Sequence, residues 1–175
     1  MSGPSALATV VSMKEGHRRQ VEAMLDEAAA EHDRLVSYLS PDMRASLPVD
    51  AQGITRAIDH LAAAAGFSDS ERRALIRAHG LNPAVLHARV FGSEPLAQET
   101  VIGAFVEGAR VRADALAVLA DAVGGEPLGQ QVRMLLTANP PPVGGRGSGV
   151  TIALRDTYAA HERAVLLIAA NLDDR

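Results

Sequence analysis

Apolar residues recur at three- and four-residue steps along most of this chain, the period of a helix and not of a strand. The longest such run is Ser93 to Gly125, SEPLAQETVIGAFVEGARVRADALAVLADAVGG. Ser93 is suited to the N-cap, Pro95 to the first turn, and Gly124-Gly125 to a left-handed stop. Ile102, Phe105, Ala109, Leu116, Leu119 and Val123 form its stripe. Val101, Val106, Val111 and Val118 widen that stripe, so a helix of roughly 40 Å is expected in the middle of a bundle.

The other segments read as partners for it. Residues 1–13 are expected as a loose leader, followed by a helix from Lys14 to Ser40 with Val21, Met24, Leu25, Ala28, Leu35 and Leu39 inward. His17 and His32 fall on that same stripe. A second helix, Asp50 to Ala65, turns Ile54, Ile58 and Leu61 inward, and Gly66 breaks it. Ser68-Asp69-Ser70-Glu71 has the form of a capping box for a helix from Asp69 to His79. Asn82-Pro83 opens a short helix to Phe91. Beyond the central run come a helix from Pro127 to Ala138 and a Pro/Gly linker at 139–150. A last helix, Thr151 to Leu172, carries Ile152, Tyr158, Val165, Ile168 and Leu172. The expected fold is all-α, a single domain of four longer helices with two or three short ones.

Composition narrows the function classes. The 175 residues suffice for one substantial core, and the 47% apolar fraction is mostly Ala, Leu and Val with only 3% aromatic, which disfavours an aromatic-lined cofactor pocket. Net charge is −4, so general binding to nucleic acid is not expected. With no cysteine there is no disulfide, thiol nucleophile or thiolate metal site. That absence of cysteine suits the cytoplasm; no apolar run is long enough to span a membrane, and no signal peptide is recognisable. Lys14 is the only lysine among 17 basic residues, a usage that points to a GC-rich bacterial genome.

No catalytic, metal or cofactor signature emerges. None of the six histidines follows a glutamate by three residues, and no two stand four apart, so the ligand pattern of a metal-binding bundle is missing. A site shared between helices, such as His32 with His161, is the remaining metal arrangement. GGRGSGVT lacks the lysine of a phosphate loop and follows no strand.

Three stretches carry resemblances. EHDRLVSYL around His32 is similar to the phosphoacceptor helices of histidine kinases, which implies phosphotransfer. HLAAAAGFSDSERRALIRAHGLNPA, overlapping the helix-turn-helix-like stretch 56–83, resembles the second DNA-binding motif of AraC-type regulators, though Arg72, Ala74 and Ile76 replace the aromatic residues of that recognition helix. ERRALIRAHGLNPAVLHARVFGSEPLAQETVIGAFVEGA resembles the later half of bacterial nitrate- and nitrite-sensing domains, matching at Glu71-Arg72, Asn82-Pro83, Gln98 and Phe105. That third resemblance implies a non-catalytic, all-helical sensory domain of a signalling protein that binds a small anion and works with a protein partner.

An anion site requires an arginine that points inward. Arg112 falls on the stripe between Ala109 and Leu116, and Arg155 lies a turn before Tyr158. These two are the candidate ligand-binding residues, expected to bracket a small polar cavity. The alternative for Arg112 is a salt bridge to Glu99, Glu107 or Asp114, because a buried guanidinium must be matched by an acceptor. A homodimer is also expected. Val165, Leu166, Leu167 and Ile168 are four consecutive apolar residues, more than one helix face buries.

Overall fold

A computed structural model of the chain describes residues 6–36, 52–76, 98–142 and 148–175. These form five α-helices and, among the described residues, no strand: α1 (Ala6–Val36), α2 (Gln52–Ala64), α3 (Asp69–Ile76), α4 (Gln98–Ala138) and α5 (Ser148–Asp173). The all-α expectation is met. The expected helix over 82–91 lies outside the described residues. The leader is a correction: residues 6–13 are helical and continuous with α1. ALATVVSM has good helix formers and no Gly or Pro, so nothing in it stops a helix.

Turn chemistry sets the chain's direction. At the end of α2, Gly66 adopts φ +90°, and the amides of Gly66 and Phe67 donate to the carbonyls of Ala63 and Ala62. This is a Schellman stop, which a residue without Cβ enters at no steric cost. The Ser68 hydroxyl then accepts from the Glu71 amide at 3.2 Å, half of the expected capping box, and opens α3. Arg72 donates to both carboxylate oxygens of Asp59 at 3.0 and 3.4 Å, fastening α3 to α2.

The central run is broken where its two glycines stand. Gly125 has φ +67°, ψ −161°, and Pro127 follows. Arg133 Nη1 donates to Asp121 Oδ1 at 3.0 Å. In a straight helix those residues would stand about 18 Å apart, so α4 folds back at Gly125 as a hairpin of two arms, 98–124 and 126–138. Arg175 at the end of the chain donates to the carbonyls of Ala122 and Val123, which are the open acceptors at the end of the first arm.

α5 lies along both arms. It runs parallel to the first, with Tyr158 beside Arg112 and Arg175 beside Val123, and antiparallel to the second, with Thr157 beside Asn139. Its buried positions Leu154, Tyr158, His161, Val165, Ile168 and Leu172 follow alternating steps of four and three. The first arm repeats that spacing in Ala109, Arg112, Leu116, Leu119 and Val123. Two such stripes share the spacing with which coiled-coil helices pack. α1 and α2 are antiparallel, with His17 beside His60 and Glu31 beside Arg56, and they close the core with Val21, Ala28, Ile54, Ile58 and Leu61. The first arm is less enclosed than its sequence implies. Val118 is 51% exposed, so α4 buries one stripe and does not sit wholly inside a bundle.

Candidate functional site

Among the described residues, two polar clusters interrupt the aliphatic core. The first is Arg112 with Tyr158 and His161. The stripe that carries Ala109 and Leu116 inward carries Arg112 with them, and its side chain is 0% exposed. Its guanidinium carbon lies over the Tyr158 ring, 5.1 Å from the centroid. The negative face of the ring stabilises the desolvated cation by about 2 kcal/mol. His161, 1% exposed, meets the edge of the same ring at 6.3 Å and 78°. A permanent cation, a phenol and an imidazole therefore share one layer, with Leu116 and Leu154 among their buried neighbours along the two helices.

The second sequence candidate is corrected. Arg155 is exposed, so it does not bracket a cavity with Arg112. In α5 the buried positions flank it at Leu154, Thr157 and Tyr158, and Arg155 with Asp156 falls on the opposite side. The seam runs 154, 158, 161, so the position three residues before Tyr158 falls on the solvent side. Of the carboxylates expected beside Arg112, Glu107 and Asp114 are exposed, and Glu107 meets Arg110 at 3.4 Å. The Glu99 side chain lies outside the described residues.

The second cluster joins α1, α2 and α5. His17 Nδ1 and His60 Nε2 are 3.0 Å apart, so one ring nitrogen donates its proton to the lone pair of the other. Burial holds the His60 pKa below its usual value, the charge of His17 adds to that, and Asp59 opposes both. Asp173, 8% exposed at the end of α5, accepts from the amides of His17 and Arg18 at 3.2 and 3.0 Å. The sequence marks His17 by its place on the α1 stripe. It gives no sign of His60 or Asp173, which reach the junction only through tertiary packing. Among the described residues no group of three or more His, Asp, Glu or Cys side chains is arranged to hold a metal ion. The His32 side chain, and with it the His32–His161 pairing, lies outside the described residues.

No protein-family model matches this chain, and no curated protein or solved structure matches it either. The arginines of the DNA-binding resemblance divide. Arg72 is held by Asp59 and Asp69, Arg73 is exposed, and Arg77 lies outside the described residues.

Proposed function

We propose that this chain is a non-catalytic sensory or regulatory domain of a bacterial signalling protein, cytoplasmic in location, in which Arg112 receives a small planar anion. The observation that carries this is a guanidinium with 0% exposure, stacked on Tyr158 beside a buried His161 in an otherwise aliphatic seam. A guanidinium offers a flat face to an aromatic ring and an in-plane N–H fork to planar acceptors. Nitrate, carboxylate and similar oxyanions match that fork, and burial strengthens the attraction. The site lies between α5 and the first arm of α4. An anion there biases how these helices pack, which is the coupling a sensor needs to address a protein partner.

The test is thermal unfolding in nitrate and chloride at matched ionic strength. An anion that binds only the folded state raises the melting temperature with concentration, by about 2.7 kcal/mol of stability at a hundred times its Kd. Wild type should gain more from nitrate than from chloride, and Arg112→Met should lose the difference. Equal wild-type curves in the two salts would end the proposal.

A further inference from the structure

One surface of the molecule has an apolar centre and a rim of both charges. The second arm of α4 meets α5 and α1 around a shallow hollow of about 480 Å³, floored by Leu135, Leu166 and Leu167 and bordered by Arg18 and Arg163. The origin of the floor is legible in the run of four apolar residues in α5. Val165 and Ile168 are 0% exposed, which turns Leu166 and Leu167 outward, half-buried. Met134, beside Leu135, is 72% exposed. A neighbouring hollow of about 510 Å³ shares Arg18 and Ala170 with the first and adds the carboxylates of Glu22 and Asp174.

We propose that this face is the contact surface of a homodimer, closed by a two-fold axis. A two-fold interface must be complementary to itself, because each residue meets its counterpart across the axis. This patch satisfies that requirement. Aliphatic side chains occupy the centre; Arg18 is paired with Glu22 of its own chain at 3.2 Å, and rotation sets the exposed Arg163 toward the partner's Asp174. An apolar core inside a polar rim is the usual anatomy of such contacts. A small amphiphile with an anionic head would use the floor and the arginines, but it would meet repulsion from the same carboxylates. A second copy meets the aliphatic floor with its own and sets arginine against carboxylate at the rim. The inference is independent of the Arg112 site, whose guanidinium is wholly buried and takes no part in this surface.

The experiment is sedimentation equilibrium of the full chain from micromolar to millimolar concentration. The expected wild-type mass is twice 18.3 kDa. Leu167→Glu places charge at the centre of the interface and should yield a monomer with an unchanged circular dichroism spectrum. Arg163→Glu replaces an exposed side chain that makes no contribution to the core. It should weaken association at least tenfold while leaving the melting profile of dilute protein intact. It keeps the test decisive should Leu167→Glu not fold. A wild-type monomer at every concentration would overturn the proposal. So would a folded Arg163→Glu or Leu167→Glu that dimerises as tightly as wild type, or a series of masses beyond the dimer, which two-fold closure forbids.

Discussion

Replacing Arg112 by methionine and by alanine separates a guanidinium kept for binding from one kept for structure. The side chain is 0% exposed and stacks on Tyr158 at 5.1 Å. Alanine removes most of its volume, and truncations of that size in a core cost about 2–5 kcal/mol through lost contacts and the cavity left behind. The cation–π contact, about 2 kcal/mol when desolvated, is lost as well, while the desolvation cost of the charge is relieved. Methionine fills nearly the same length of the seam with flexible apolar atoms. It forfeits the cation–π contact but relieves the desolvation cost of a buried charge. Arg112→Met is therefore expected within about 1.5 kcal/mol of wild type. Arg112→Ala is expected to lose about 2–5 kcal/mol, or roughly 4–20 °C in melting temperature at this chain length. Urea and thermal unfolding followed by circular dichroism measure both. If methionine costs as much as alanine, more than about 3 kcal/mol, the guanidinium is one partner of a structural ion pair and the anion site is refuted.

Other consequences are independent of that pair. The depressed His60 pKa means that the folded state binds its proton less readily than the unfolded chain, whose value is near 6.5. The stability it contributes is present above that pH and is lost as pH falls toward the folded-state value; His17 adds to the depression and Asp59 opposes it. His60→Gln should flatten the fall in melting temperature between neutral and mildly acidic pH; an unchanged slope would contradict this. Burial raises the Glu162 pKa, so that group acts in the opposite sense, and Glu162→Gln should raise stability at neutral pH relative to acid. Gly53 is where α2 crosses α1, and a Cβ there would lie 2.8 Å from Ala28 Cβ and 3.1 Å from Leu25 Cα. Gly53→Ala should therefore destabilise by about 1–3 kcal/mol despite its better helix propensity, and a more stable variant by urea unfolding would refute the close approach. The buried Thr157 hydroxyl lies 3.0 Å from the Pro140 carbonyl and 2.9 Å from that of Ala153. Thr157→Val should cost about 1 kcal/mol in the same assay, and a neutral result would mean the hydroxyl does not tie the 139–142 turn to α5.

Much of the fold was legible because its signals are local. Gly124-Gly125 followed by Pro127, Gly66 before Ser68, and the stripes of α2 and α5 each determine their own neighbourhood, and each is found where the sequence implies. The start of α1 is less legible because an absence of breakers is a weaker signal than a breaker. The site was half legible. Periodicity in the first arm turns Arg112 inward, since Ala109, Leu116 and Leu119 give an unambiguous phase. It fails for Arg155 because small alanines blur the edge of the α5 stripe, and a single residue of phase error moves a side chain from the seam to solvent. The His17–His60 contact and the Asp173 tether join residues 43 and 156 positions apart, and no local pattern encodes them.

The most direct test of the anion site is the ¹H–¹⁵N spectrum of the arginine Nε–H groups during titration with nitrate and then with chloride. The Arg112 resonance, buried and slow to exchange with water, is identified by its loss in Arg112→Met. Nitrate should shift it along a saturable curve while the exposed arginines move little, and chloride at equal ionic strength should leave it in place. A resonance that responds identically to both salts, or to neither, would contradict an anion site at Arg112.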